Sequence, residues 1–540
     1  MHGIRRLIIA TAIAAAAAVS AEGAETEHRR ISGVYPHLCT YTIEPGENHQ
    51  LDECGIGAVV PWAGKLWMIT YGAHYPHGSS HKLYSIDKDL TPIGSHLRYI
   101  PDFCNWDGRL VIATDETSIM GHRQCGQPQS NLWFGKYEDL KRWGPASGYG
   151  GPWVADAVRA NTPSAPFLIA GFDRRILHLA TDKPAAVTVE IDREGNGKWR
   201  TFATTMVDGN TTVTFPTDLE AEWMRLSTDK DCQATAYFHG TDANLQKANE
   251  NLFAGLADVG EAAVDGLLYP ARKNRNLEII NAGAGPCFTV SRALEIGPTT
   301  CDKQTAKVLE VQRDFEVDEA SVIVSKGRTR YRLPKGNAAY DSPFSFGQPR
   351  AVREVESERN LANIHGTFYE IPRTNHKVDP DWERMRPVSS HRKQIHDFCT
   401  WQGLLVLSGV RRDAKQDGHV FRGAKGGAIW CGAIDDLWQL GKPVGTGGPW
   451  KETAVKANHP SDAYLMTGYD CKTLTLTANK DVTITIEVNV DHQSGWHQYN
   501  TLEVKAGEAT TYRFPKAFSA HWIRFTTNLD CTATAWLVYE

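Results

Sequence analysis

Methionine is scarce in this sequence, seven in 540 residues, and no two of its eleven cysteines stand in the Cys-x-x-Cys spacing of a thiolate zinc site. No lysine- and arginine-rich block of the kind that tracks phosphates accompanies the formal net charge of -5, which leaves nucleic acid a poor partner. Beyond residue 21 no run approaches the ~18 consecutive apolar residues that a membrane-spanning helix requires. What remains favours β structure. Aromatics make up 10% of the chain, with 16 Trp and 47 Gly, a composition suited to short strands joined by tight turns.

Residues 1–21 read as a signal peptide. Arg5 and Arg6 precede an Ala-rich apolar run from Leu7 to Val19, and Val19-Ser20-Ala21 forms a small-residue cleavage site. The expected location is secreted or periplasmic, where disulfides are permitted. Cys104 and Cys399, like Cys232 and Cys531, occupy matching repeat positions and are expected to be buried apolar thiols.

The repeat is the main organisational signal. Asp102-Phe-Cys-Asn-Trp106 returns as Asp397-Phe-Cys-Thr-Trp401, and Gly150-Gly-Pro-Trp153 as Gly447-Gly-Pro-Trp450. Trp223-Met-Arg225 with Asp231-Cys-Gln-Ala-Thr-Ala236 answers Trp522-Ile-Arg524 with Asp530-Cys-Thr-Ala-Thr-Ala535. The slowly drifting offset defines copies over about 98–240 and 393–540. Val187 to Asp192 and Val482 to Val488 alternate β-branched with polar residues, the period of a half-buried strand. The expected fold is all-β, a seven-bladed β-propeller with an internal duplication spanning 32–540, closed by pairing the last strand with one near 38–43. Two tandem β-sandwiches, one per copy, are the alternative. Residues 241–266 read as a short helix or an irregular connection, and 373–393 as a solvated loop.

The stretch from Cys54 to Ile86 holds two apolar runs followed by a connection carrying His74, His77 and His81. An imidazole serves as base or acid near neutral pH, which makes this connection a candidate site. The His-x-x-His-x-x-x-His spacing suggests a metal only weakly, because no carboxylate or thiolate accompanies it at a defined spacing. Residues shared by both copies are explained by folding, whereas polar residues of one copy are not. Asp115 and Glu116 face Val410 and Arg411 in the other copy, and Gln127 to Asn131 face Lys425 to Ala428, so Asp115, Glu116, Gln127 and Asn131 are candidate ligand contacts. Two carboxylates here would also permit a paired-acid glycosidase. His365 stands in Asn363-Ile-His-Gly-Thr-Phe368, either as a channel-facing residue or as a hydrogen-bonded core histidine.

Cys54-Gly-Ile-Gly-Ala-Val-Val-Pro-Trp62, followed by Leu66-Trp67, Thr70-Tyr71-Gly-Ala-His74 and Gly78-Ser-Ser80, resembles the N-terminal signature of a secreted seven-bladed propeller family. These are the rhamnose-α-1,4-glucuronate lyases of polysaccharide lyase family 42, first described as α-L-rhamnosidases of glycoside hydrolase family 145. Ser130-Asn-Leu-Trp133, Arg330-Tyr-Arg-Leu-Pro334 and His365-Gly-Thr-Phe-Tyr369 are also similar to it. The resemblance implies an exported enzyme that removes terminal L-rhamnose from a rhamnosyl-glucuronate end by β-elimination, with His74 as the catalytic histidine. That chemistry needs a base for the C5 proton, an acid for the leaving oxygen and a cation against the carboxylate. His77 or Tyr75 would fill the second proton role, and Arg330 or Arg332 the clamp. The partner would be an acidic or rhamnose-capped polysaccharide, and a divalent cation such as calcium could sit in a central channel. Hydrolysis by an α-L-rhamnosidase-type enzyme and glycan or protein binding without turnover are the alternatives.

Overall fold

A computed structural model describes residues 53–540, apart from 64, 74–82, 87–91, 95, 98–99, 101, 107, 115–130, 265, 272–275, 282–284, 345–346, 357–358, 373–379 and 492–494. The described chain is mostly antiparallel β-sheet with little helix. It is built from two kinds of unit. Small antiparallel sheets, called meanders below, occupy 53–94, 103–135, 267–299, 352–390 and 398–432; neighbouring strands pair in sequence order in the first four, and in the last, strand Ala428–Gly432 inserts between Leu404–Leu407 and Val420–Arg422. A larger two-layer unit closes each sequence copy, at 147–241 and 445–539.

The meanders share one local device. In four of them the first hairpin turns on two residues: between Trp62 and Lys65, Trp106 and Arg109, Ile364 and Thr367, and Trp401 and Leu404. The first turn residue lies at positive φ where it is described (Ala63 at 51°, His365 at 54°, Gln402 at 56°), and the second is glycine. Two consecutive left-handed residues match the right-handed twist of the flanking strands, and this is why X-Gly sits between apolar runs. The meander at 53–94 thus has its counterpart at 352–390, a likeness that side-chain identities alone do not display.

The two-layer units match strand for strand. Strand Arg174–Asp192 pairs with Cys232–Thr241 over its first half and with Trp223–Thr228 over its second, so one bent strand serves both layers. The bend falls around Lys183-Pro184, where proline supplies no N–H for the ladder. In the second unit the same path is broken into Lys472–Ala478 and Val482–Asn489, which belong to separate sheets. Along Val482–Asn489 the apolar Val482, Ile484, Ile486 and Val488 point inward and the residues between them are half-exposed. Trp153, Trp223, Trp401, Trp450 and Trp522 are buried, as repeated Trp should be. Cys232, Cys399 and Cys531 are buried too, but Cys104 is exposed.

The second unit differs at one edge. Strand Thr329–Leu333 adds to it in parallel, opposite Ala463 and Tyr464. Arg332 fixes that contact, donating to Asp462 Oδ2 at 2.9 Å and to Asp318 Oδ2 at 2.7 Å. The first copy carries Ala165 and Pro166 where the second carries Asp462 and Ala463, so it lacks both the anchoring carboxylate and a backbone donor.

Residues 242–249 form an irregular connection rather than a helix. Residues 386–390 form a strand, and His391 and Lys393 are buried, which corrects the expectation of a solvated loop there. Among the described residues a disulfide, Cys287–Cys301, ties strand Cys287–Val290 to the start of helix Lys303–Leu309.

A candidate site in the cleft between the two layered units

Only part of the sequence-derived site lies among the described residues. His74, Tyr75, His77, Asp115, Glu116 and Gln127 fall outside them. Asn131 opens strand Asn131–Gly135, its backbone paired opposite Thr114. Arg330 is half-exposed, 3.7 Å from Asp462, whereas Arg332 is buried between two carboxylates and the Ser321 hydroxyl. These arginines bind strands to one another.

His365 occupies the turn of its hairpin rather than an inner strand. Its Nδ1 accepts from the Gly336 N–H at 2.9 Å, so Nε2 carries the proton and donates to Asp341 Oδ1 at 2.8 Å. Burial holds its pKa below the usual value against the pull of Asp341. With both nitrogens engaged, the ring fastens the turn to residues 336–341.

A cleft of about 100 Å³ opens where the two layered units meet the meander at 352–390. The first unit supplies Tyr149, Arg174 and His239, the second Asp470, Lys472 and Phe518, and the meander Glu370 and Arg386. Arg174 Nη1 donates to Asp470 Oδ1 at 2.6 Å, and the Asn244 N–H donates to Asp470 Oδ2 at 3.1 Å, a latch between the two copies. Arg386 stacks its guanidinium 4.1 Å from the centre of the Tyr149 ring. Glu370 and Arg386 are direct cross-strand partners.

Several of these polar groups belong to one copy only. By register, Tyr149 stands where the second copy has Thr446, Arg174 where it has Cys471, and His239 where it has Val538. The meander at 53–94 has Met68 opposite Tyr84 in place of Glu370 opposite Arg386. Lys472 is different. Its Nζ donates to the Tyr469 and Phe518 carbonyls, just as Arg175 caps the Pro216 and Leu219 carbonyls at the matching place, so it is part of the shared fold. Burial lowers its pKa to about 8.

His239 is 8% exposed, and its Nε2 has no hydrogen-bond partner. Burial, reinforced by His178 and then Arg386, pushes its pKa well below the usual value, while the Val490 carbonyl takes a hydrogen bond from the ring. His178 packs with its ring centre 5.7 Å from that of His239 and donates from Nε2 to the Ser519 carbonyl; burial lowers its pKa to about 4. Glu370 is 3% exposed and its Oε2 has no partner. At the mouth, burial raises the Asp242 pKa to about 6.

The arrangement offers an unprotonated imidazole, guanidinium groups and aromatic faces in one small space. Sequence reasoning missed it, although comparing the copies strand by strand, rather than loop by loop, picks out Tyr149, Arg174 and His239. Among the described residues no group of three His, Cys, Asp or Glu side chains is placed to hold a metal ion.

No family model matches the chain, and no curated protein sequence does. Solved structures give faint similarity. The exported protein XepA of PBSX is 7% identical over 73% of this chain and 86% of its own, with a TM-score of 0.14. The oxalate decarboxylase of Lactobacillus farciminis is 7% identical over 82% of this chain and 86% of its own, with a TM-score of 0.11. The hazelnut vicilin of Corylus avellana is 11% identical over 80% and 82%, with a TM-score of 0.14. Likeness at this level carries no argument about this chain.

Proposed function

We propose that the protein is an exported carbohydrate-active enzyme that removes a terminal rhamnose from a rhamnosyl-α-1,4-glucuronate end by β-elimination, working in the cleft between the two layered units. The observation that carries this reading is a buried imidazole, His239, held in its neutral form and with Nε2 unpartnered, beside the Arg386 guanidinium. Elimination from a uronate begins with loss of the C5 proton, and a cation against the carboxylate stabilises the carbanion-like state that forms. Arg386 would meet the carboxylate, and His239 Nε2 would take the proton. Tyr149, whose ring lies against Arg386, would return a proton to the departing oxygen.

The N-terminal resemblance supports the same substrate class, although it implies His74 rather than His239 as the catalytic histidine. In this proposal the small meanders form a propeller-type ring, seven-bladed as the resemblance implies, to which the layered units are attached. Export is supported by the Arg5-Arg6 and Leu7 to Val19 segment and by the Cys287–Cys301 disulfide.

The deciding experiment incubates the purified protein with a rhamnose-capped, glucuronate-bearing arabinogalactan and follows the absorbance of the unsaturated uronate. The expected result is a rising chromophore with release of rhamnose, lost by 100-fold or more in His239→Ala, at the low end of general-base contributions of about 10² to 10⁴. Rhamnose without the chromophore would mean hydrolysis, and binding without product a non-catalytic role. Loss of activity in His74→Ala with full activity in His239→Ala would move the base to the His74 connection.

A further inference from the structure

We infer that Glu370 is the cleft's hydroxyl-reading residue: its carboxylate receives hydrogen bonds from an adjacent pair of hydroxyls on a neutral sugar ring, and so decides which sugar the cleft accepts. This deepens the reading above and rests on the cleft being a sugar site.

The inference starts from an incomplete hydrogen-bond account. A carboxylate has room for about four hydrogen bonds, and a buried one left without donors is costly. Glu370 is almost wholly buried on strand Thr367–Pro372 and lines the cleft, and nothing in the protein donates to its Oε2. Folding does not explain its presence. The equivalent strand of the meander at 53–94 makes the same hairpin with Met68 at that position. A carboxyl group where the counterpart sequence has methionine points to a ligand that completes it.

The ligand's chemistry follows from the neighbours. Arg386 stands opposite Glu370 on the neighbouring strand, so a cationic group is already at hand and the ligand need not bring one. What it still requires is O–H donors. Two hydroxyls on adjacent ring carbons match two oxygens on one carboxylate. The Tyr149 and Phe518 rings, also in the lining, offer apolar faces for the C–H side of the same sugar. The cleft therefore divides its work: Arg386 faces the acidic sugar and Glu370 the neutral one.

Binding experiments on the full chain test this. L-rhamnose, its 2-deoxy and 3-deoxy analogues, and D-glucuronate serve as probes in ligand-observed NMR titrations. Rhamnose is expected to bind wild-type protein about tenfold more tightly than either deoxy analogue, the usual scale for one hydrogen bond to a charged group. Glu370→Gln should remove that difference while leaving glucuronate affinity within about twofold, and Arg386→Gln should do the reverse. Equal affinity of rhamnose and its deoxy analogues for wild type overturns the inference, as does the absence of any rhamnose binding at millimolar concentration. The wild-type comparison needs no variant, so it stands even if Glu370→Gln fails to fold. The two readings separate cleanly. Glu370-dependent rhamnose binding without unsaturated product sinks the elimination proposal alone, and elimination by Glu370→Gln with unchanged KM sinks this inference alone.

Discussion

At the scale of single residues, burial lowers the pKa of His178, His239, His365 and His391, and this sets an acid limit on the fold. Burial lowers His178 to about 4 and His391 to about 3. In His178 burial prevails over the bond to the Ser519 carbonyl, which favours the charged ring, whereas His391 makes a bond suited to the neutral form, its Nδ1 accepting from the Lys393 N–H while its Nε2 meets Asn363 Oδ1 at 3.1 Å. A histidine whose folded pKa lies below its unfolded value of about 6.5 binds its proton more readily in the unfolded chain. Its stabilisation is therefore complete above about pH 6.5 and is lost as the pH falls towards the folded value. For His178 the shift is worth on the order of 3 kcal/mol. The urea midpoint should fall steeply between pH 6.5 and 4, and His391→Gln should fall less steeply over the same range. Parallel curves for the two proteins would show that His391 is not a source of the effect.

At the scale of elements, strands explain more than loops do. The parallel addition of Thr329–Leu333 to the second layered unit involves only Tyr331 and Arg332 opposite Ala463 and Tyr464, too short a ladder to hold by backbone alone. Arg332 is buried and its ion pairs complete the join. Asp462→Ala should cost about 1–3 kcal/mol, since a buried guanidinium loses one of its two carboxylates. Introducing Ala165→Asp in the first unit, whose edge carries Pro166, should leave stability within about 0.5 kcal/mol. Chemical denaturation of both variants checks this, and equal losses would mean that the edge pairing is not set by the carboxylate.

The same contrast explains what the sequence discloses. Alternation in Val482 to Val488 and the repeated Trp153 and Trp450 reveal strands and core directly, because burial on a period of two is a local property. The cleft is not local. Tyr149, His239, Glu370 and Arg386 come from four strands in two separate units, and nothing in their spacing marks their meeting. His365 illustrates the opposite case: a histidine in a promising motif is fixed by its turn, with φ of 54° beside Gly366 and both ring nitrogens occupied.

At the scale of the whole molecule, one duplicated motif does two jobs. In Asp102-Phe103 and Asp397-Phe398 alike, the carboxylate accepts the next residue's N–H at 2.8 Å, which starts the first strand of each meander. Asp102 is exposed and does no more than that among the described contacts. Asp397 is fully buried. It accepts from Arg350 Nε at 2.6 Å, from Arg353 Nη1 at 3.1 Å and from the Leu268 N–H at 2.9 Å, while Arg353 also donates to the Leu268 and Phe398 carbonyls. This carboxylate thus joins the meanders at 267–299, 352–390 and 398–432. Burial opposes its charge, but Arg350 and Arg353 outweigh that and hold its pKa below the usual value. Its contribution is present above the unfolded carboxylate pKa and is lost as the pH falls through the lower folded one. Asp397→Asn would take a shared counter-charge from two buried guanidinium groups, at a cost of about 3–5 kcal/mol. Asp102→Asn keeps an acceptor in an exposed place and should cost less than about 1 kcal/mol. Thermal unfolding of the pair isolates the hub from the motif, since the substitution and the local bond are the same in both. A similar loss in the two proteins would show that the motif acts only on its own strand, and that the meanders are held together by apolar packing alone.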